Sequence, residues 1–122
     1  MANGKLKKVK VWKDSTALTK FNHWIVKRDG RCMRCGKKEN LQSSHYFGKQ
    51  RSSVRFEPLN CDALCYPCHY GNLNGWEYHK SCCYKEYMRK KLGKKKYKEL
   101  ERLAHTSIPR KQAIINLMSW IK

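Results

Sequence analysis

Cys32-Met33-Arg34-Cys35 is followed about thirty residues later by a second pair of the same spacing, Cys65-Tyr66-Pro67-Cys68. Two cysteines three positions apart in a tight turn can both bind one tetrahedral zinc ion. Two such pairs supply four sulfur ligands and leave no position for water. The sequence therefore predicts a structural zinc ion that joins the two segments and stabilises a small core.

Three further cysteines, Cys61, Cys82 and Cys83, make seven in total. One of them could replace a member of the set of four, but buried, unreactive thiols are the simpler interpretation. An odd number of cysteines and the lack of an apolar N-terminal run argue against a secreted disulfide scaffold. No segment approaches the roughly 20 apolar residues of a membrane span. These features together favour a reduced, metal-binding chain, which we expect in the cytoplasm.

The net charge of the chain indicates a polyanionic partner. Lys and Arg number 28 against 9 Asp and Glu, which gives a formal net charge of +19 over 122 residues. Such a field attracts a polyanion, and the release of condensed counterions drives binding. Nucleic acid is the expected partner, with an acidic protein or simple solubility as alternatives. Charge alone distinguishes neither DNA from RNA nor an enzyme from a coat protein.

The chain has the length of one domain with an additional terminal helix. We expect a basic arm over residues 1–13, a core over residues 14–92 and a basic helical extension over residues 93–122. The expected fold class is α+β, a small zinc-stapled core flanked by helices on its N-terminal and C-terminal sides.

Local signals predict the first elements of the core. Asp14 or Ser15 could cap a helix that runs to Asp29 and ends at Gly30. Residues 31–46 then favour a hairpin or knuckle around the first cysteine pair.

The middle of the chain predicts less regular structure. Residues 48–53 are polar and basic, typical of a mobile loop, and residues 54–56 alternate like a brief strand. Pro58 would begin a turn into a short helix. That helix is expected to carry Cys65, Cys68 and His69.

The last third of the chain predicts helices. We expect them over residues 77–92 and 94–105, with a hinge at Gly93, and over residues 109–121. The last helix has an apolar face, which favours a place in the core, with a dimer contact as the alternative. Its members are Ile114, Leu117, Met118 and Ile121.

A His-Asn-His series runs through the same segments as the cysteines. Asn60 follows His45 by fifteen positions, and His69 follows Asn60 by nine, directly after Cys68. Hydrolysis of a phosphodiester at a one-metal site needs a base that activates water, a divalent ion and a group that orients the base. His45 suits the base, since a neutral imidazole predominates near neutral pH.

The other two residues suit the remaining roles. Asn60 could bind the metal or fix the loop that bears the base, and His69 could be an imidazole ligand. Each residue also has a simpler interpretation taken singly: a hydrogen-bonded surface histidine, a helix cap or an alternative zinc ligand. The joint spacing favours the catalytic interpretation.

A family resemblance is carried by the run Asn60-Cys61-Asp62-Ala63-Leu64-Cys65-Tyr66-Pro67-Cys68-His69. It resembles the closing half of the HNH nuclease motif in its zinc-binding form. The chain is more closely similar to the phage NinG/Rap recombination proteins, an HNH-like group, over roughly residues 20–108. The segments that carry this likeness are residues 21–29, 44–46, 54–60, 71–72 and 77–78.

The resemblance implies a ββα-metal fold and a structure-specific DNA endonuclease that acts on branched or single-strand-containing recombination intermediates. It implies His45 as the base, Asn60 as a metal ligand or orienting residue, and the four cysteines as zinc ligands. His69 matches the general HNH motif, and a phage-encoded protein would act in its bacterial host. The implied catalytic ion is Mg²⁺ or Mn²⁺.

One position departs from the family pattern. Many HNH nucleases place Asp or His directly before the base as a metal ligand, whereas this chain has Ser44. Asp62 is the preferred substitute because it lies close to Asn60 in the sequence, although a carboxylate there could instead serve the start of a helix. Glu57, His79 or water are the other candidates.

Two basic segments are the expected DNA contacts. The first contains Lys49, Arg51 and Arg55, and would position phosphates rather than read bases. The second lies in the C-terminal helices, and its alternative role is a solvated helix face. Two separate basic surfaces would suit bent or branched DNA. The residues expected in the second segment are Arg89, Lys90 and Lys91.

Two other functions fit the same sequence. A zinc-stapled, non-catalytic DNA-binding accessory protein of recombination is favoured by Ser44 and by the excess charge. An RNA-binding zinc knuckle is a weaker option. A homodimer could supply two active sites for symmetric cutting of a junction, while a nicking monomer is equally compatible with these residues.

Overall fold

The computed structural model describes residues 10–71 and 73–121. Most of the predicted basic arm therefore lies outside the described residues. The architecture is α+β, as predicted: within the described residues, five α-helices surround a two-stranded antiparallel sheet. None of those helices is both long and apolar enough to cross a lipid bilayer.

Helix α1 spans Asp14–Asp29 and ends as predicted. Gly30 adopts the left-handed conformation, with φ of 69°, and its N–H donates to the Val26 carbonyl. The predicted side-chain cap is wrong, because neither candidate caps the helix. The Asp14 carboxylate instead accepts hydrogen bonds from the guanidinium groups of Arg55 and Arg110, which are stronger partners than a backbone N–H.

Strands β1 (Leu41–His45) and β2 (Cys61–Cys65) form the sheet. Their register pairs Leu41 with Cys65 and His45 with Cys61. The prediction of a hairpin within residues 31–46 is wrong, since β1 pairs with a strand sixteen residues further along the chain. The knuckle itself is present, and the Met33 N–H donates to the Ala63 carbonyl on β2.

The connection between the strands contains helix α2 (Ser52–Arg55) and a 3-10 turn (Pro58–Asn60). The brief strand predicted for residues 54–56 is wrong, because its first two residues end helix α2. Val54 and Phe56 are both buried, and three residues are too few to distinguish strand periodicity from the end of a helix. The loop predicted to be mobile is attached by the Arg51 guanidinium, which donates to the Ala104 carbonyl.

Strand β2 replaces most of the short helix predicted after Pro58. Cys61–Cys65 is extended and every residue is buried, so its apolar run shows no alternation and could not be told from a helix by pattern. Helix α3 (Tyr66–His69) follows directly.

The C-terminal part is helical, with the predicted hinge. Helix α4 spans Lys85–Ala104 and kinks at Gly93, where φ is 79°. It begins later than predicted because a 3-10 turn (Trp76–Tyr78) and a π-helical turn (Lys80–Tyr84) precede it.

Helix α5 (Arg110–Met118) completes the core on the α1 side of the sheet. Ile114, Leu117 and Ile121 are buried, and Met118 packs against them. The apolar face of α5 is thus core, and it is not free to form a dimer contact. Burial of such side chains contributes about 1.5–3 kcal/mol each.

Candidate metal centre and active-site cavity

The four predicted zinc ligands converge at one end of the sheet. Cys32 and Cys35 lie in the knuckle, Cys65 ends β2, and Cys68 lies on α3. Their sulfur atoms are all within 4.8 Å of one another, and Cys35 Sγ lies 3.7 Å from Cys65 Sγ. Tetrahedral ligands at about 2.3 Å from zinc are separated by about 3.8 Å, so these four cysteines could hold a zinc ion.

The electrostatics of the cluster favour a bound cation. Burial, together with hydrogen bonds among the neighbouring thiols, raises the pKa of Cys68. Burial also raises the pKa of Cys32, but hydrogen bonds from three backbone N–H groups outweigh it and lower that pKa to about 7. Thiols this close resist ionising together unless a cation compensates their charge, and zinc does so.

The remaining cysteines divide into two kinds. Cys61 is buried, and burial raises its pKa well above the ordinary value, which makes it the inert thiol that was predicted. Cys82 and Cys83 are exposed, so the prediction of burial is wrong for both. They lie on the π-helical turn, whose inward face is occupied by Tyr84.

The candidate active site is an open cavity of about 610 Å³. Its walls come from β1, the following loop, α3 and the turns before α4. Both predicted histidines line it, together with two acidic side chains and three lysines. These side chains are His45, His69, Glu77, Glu101, Lys49, Lys80 and Lys85.

His45 ends β1 and is held in one orientation. Its Nε2 lies 2.8 Å from the Arg55 carbonyl oxygen. A carbonyl only accepts, so Nε2 carries the proton and Nδ1 carries the free lone pair. Burial lowers the pKa of His45 to about 4, aided by the positive charges of Lys49, Arg55 and Lys80. The ring is therefore neutral near pH 7, as a general base requires.

Asn60 is completely buried and fixes the segment that holds His45. Its amide oxygen accepts from the Phe47 N–H at 2.8 Å, and its amide nitrogen donates to the carbonyls of Phe47 and Val54. These bonds engage both ends of the amide. Of the two roles left open by the sequence, the geometry supports the orienting one, not metal ligation.

His69 lies on α3, one residue after Cys68. Its Nδ1 is 2.8 Å from Gln42 Oε1, so Nδ1 donates and Nε2 keeps its lone pair. Burial, with the charges of Lys80 and Lys49, lowers the pKa of His69 to about 4. The Nε2 atom lies 3.7 Å from Glu77 Oε1.

Glu77 is a site residue that the sequence reasoning missed. In the sequence it stands out only as one of the residues that carry the family resemblance. A usable signal exists, since Glu77 is the only acidic residue between Asp62 and Glu86. A single carboxylate in this stretch, shortly after a motif histidine, is a candidate metal ligand.

Asp62, the preferred substitute ligand, does not reach the cavity. Its carboxylate accepts from Lys91 Nζ at 2.8 Å and from the Tyr87 and Tyr84 hydroxyls. It pairs with Ser44 in the sheet, and successive side chains point to opposite faces of a strand. Asp62 and Ser44 thus face away from His45, which corrects the prediction that Asp62 binds the catalytic metal.

The other two candidates are also occupied elsewhere. Glu57 accepts from the Leu59 N–H and caps the 3-10 turn. His79 hydrogen-bonds the Leu73 carbonyl. Neither side chain lines the cavity.

The predicted DNA contacts separate into free and engaged side chains. Arg55 is buried and bonds Asp14 and the Lys49 carbonyl, and Lys91 bonds Asp62, so both predictions are corrected. Lys49 and Arg51 line the cavity, although the Arg51 guanidinium also donates to the Ala104 carbonyl. The other two predicted contacts line a shallow groove that shares Ser81 and Lys85 with the cavity. They are Arg89 and Lys90.

The four-cysteine cluster is the one group of three or more His, Cys, Asp or Glu ligands among the residues the structure describes. The cavity thus holds at most a partial ligand set. No family model, no curated protein and no solved structure matches this chain. The resemblance to HNH nucleases accordingly comes from the motif residues alone.

Proposed function

We propose that the protein is a metal-dependent HNH-type DNA endonuclease that hydrolyses phosphodiester bonds in branched recombination intermediates. Strands β1 and β2 with helix α3 would form the ββα-metal core, and zinc on the four cysteines would fix its geometry. The protein would act in the cytoplasm, that of a bacterial host if it is phage-encoded.

One observation carries the proposal. His45 presents a neutral imidazole with an unprotonated Nδ1, and it lines the same open basic cavity as His69. A base held by a backbone carbonyl, in the same cavity as a second imidazole with a free lone pair, is the minimum that one-metal hydrolysis needs.

The chemistry follows from these groups. His45 Nδ1 takes a proton from water, the water oxygen bonds to phosphorus, and the P–O bond to the leaving strand breaks. The leaving oxygen takes its proton from solvent. Bound Mg²⁺ or Mn²⁺ would stabilise the charge on the phosphate and on the leaving oxygen. His69 Nε2 is available as one ligand.

The charges around the cavity support DNA as the substrate. Lys49, Lys80 and Lys85 line it, and the groove that continues past Lys85 contains Arg89 and Lys90. A backbone that crossed the cavity could follow this path. A polyanion bound by lysines in this way would be positioned without being read in sequence.

The test is cleavage of labelled branched, single-stranded and linear DNA with Mg²⁺, Mn²⁺ or EDTA. His45→Ala should lose cutting by on the order of 10²–10⁴-fold, the usual share of a general base, while DNA affinity is retained. His45→Gln keeps a donor for the Arg55 carbonyl and should be equally inactive. His23→Ala, an exposed histidine on α1, is the matched control.

The second candidate is a non-catalytic DNA-binding accessory protein. It is favoured by Ser44, which is completely buried and accepts from the Tyr84 hydroxyl, so the position before the base supplies no ligand. Under this alternative, zinc-loaded wild type binds DNA tightly and leaves it whole with either metal. That result would refute the nuclease.

A further inference from the structure

We infer that Glu77 is a ligand of the catalytic divalent cation, and that it pairs with His69 in place of the residue missing before the base. This inference rests on the proposed function, because it names the second protein ligand of the same site. The metal ligand would then lie on the 3-10 turn Trp76–Tyr78 and not on the sheet, where Ser44 and Asp62 lie.

The first reason is that the free Nε2 lone pair of His69 and a carboxylate oxygen of Glu77 lie close together. His69 donates from Nδ1 to Gln42, so the Nε2 lone pair is directed away from that bond. Glu77 Oε1 lies 3.7 Å from Nε2, too far for a hydrogen bond. Two electron-pair donors that face each other across a cavity wall are suited to a cation between them.

The second reason is that a small shift would close the site. Cis ligands at about 2.1 Å from an octahedral ion are separated by about 3 Å. The observed separation of His69 Nε2 and Glu77 Oε1 is slightly longer than this, and rotation of the Glu77 carboxylate would be enough to shorten it. One imidazole and one carboxylate leave most positions to water and phosphate oxygens, as Mg²⁺ and Mn²⁺ prefer.

The third reason is that both side chains stand on fixed supports. His69 follows Cys68, a member of the zinc cluster, and is buried. Glu77 follows Trp76, which is buried and stacks on Tyr84 with ring centroids 4.7 Å apart. Residues with such neighbours hold their backbone in place before the ion arrives.

Lys80 is the present partner of the carboxylate. Its Nζ lies 3.3 Å from Glu77 Oε1, and both side chains are partly exposed. Exposed pairs of this kind contribute little, so the lysine does not compete strongly with a divalent ion. A long flexible side chain released from Glu77 would instead be free for the phosphate.

The experiment measures Mn²⁺ binding to the zinc-loaded chain by electron paramagnetic resonance of the free ion. Glu77→Gln should weaken binding tenfold or more, and Glu77→Asp should recover part of the loss. Glu99→Gln removes an exposed carboxylate on α4, outside the cavity, and should bind as wild type. Zinc content and thermal melting confirm that each variant is folded.

The outcomes separate this inference from the nuclease itself. Equal Mn²⁺ affinity in wild type and Glu77→Gln would overturn the role of Glu77 and leave the nuclease standing. Loss of Mn²⁺ in Glu77→Gln, with a wild type that cuts no DNA, would support the site and reject the nuclease. A wild type that binds no Mn²⁺, with or without DNA, would overturn the inference.

Discussion

The cysteine cluster and the cavity meet on helix α3, yet their ligand sets differ in kind. Cys68 and its three partners form a closed set within 4.8 Å. The next residue, His69, faces a cavity in which a single carboxylate stands near its free nitrogen. The first set can complete a coordination shell by itself, whereas the second needs water and substrate. The cysteine cluster is suited to a structural ion, and the cavity is suited to an ion that exchanges water and substrate.

Removal of the zinc ligands should test this contrast with the largest effect. Cys65→Ser should unfold the chain, because zinc sites of this type contribute about 10 kcal/mol or more, comparable to the whole stability of a domain. Circular dichroism and bound zinc are the measurements. Removing Mg²⁺ or Mn²⁺ should leave the melting temperature of the zinc-loaded chain almost unchanged.

Cys82→Ser is the matched control, since this exposed thiol lies outside the cluster. It should change stability by less than about 0.5 kcal/mol. A folded Cys65→Ser chain with the wild-type melting temperature would show that the cluster does not support the fold, and the contrast between the two regions would fail.

The pH dependence of stability should sharpen the contrast from the side of the cavity. His45 is kept neutral by burial, with its pKa lowered from 6.5 to about 4. The unfolded chain then binds the proton more readily, so this contribution to stability is present above about pH 6.5 and is lost as the pH falls towards 4. Between pH 7 and 5 the loss should be about 2 kcal/mol.

The measurement is urea unfolding of wild type and His45→Gln at both pH values, with bound zinc monitored. Glutamine does not titrate, so the difference between the two chains isolates the histidine from acid effects on the cysteines. Equal losses in the two chains would mean that the His45 pKa is not depressed in the folded protein.

The sequence predicts the cysteine cluster better than it predicts the cavity. The four cysteines were identified because the spacing within each pair is local, and Gly30 and Gly93 marked helix boundaries for an equally local reason. The pairing of β1 with β2 depends on register between distant segments. That register turns Asp62 away from the cavity, and a later turn brings in Glu77, so proximity along the chain selected the wrong carboxylate.

The basic residues show the same limit of prediction from sequence, because their partners lie on distant segments. Arg55 and Lys91 were expected at the DNA because they lie in basic runs. Each is instead tied to a carboxylate, Asp14 and Asp62 respectively. A charge run indicates a polyanion but does not reveal which members carry internal partners, since those partners come from other elements.

Replacement of lysines at the cavity should give the smallest effect, a loss of DNA affinity. It should also show whether DNA binds at the cavity or at the cysteine cluster. Lys49→Ala with Lys85→Ala removes charge from the cavity wall, and DNA affinity should fall about tenfold, with the salt slope reduced by about 1 per lost phosphate contact. Fluorescence anisotropy in EDTA measures binding without cutting. Lys37→Ala with Lys38→Ala removes the same charge from the exposed knuckle and should have less effect. If the knuckle pair weakened binding more, the DNA would lie on the zinc side, and the cavity would not be its site.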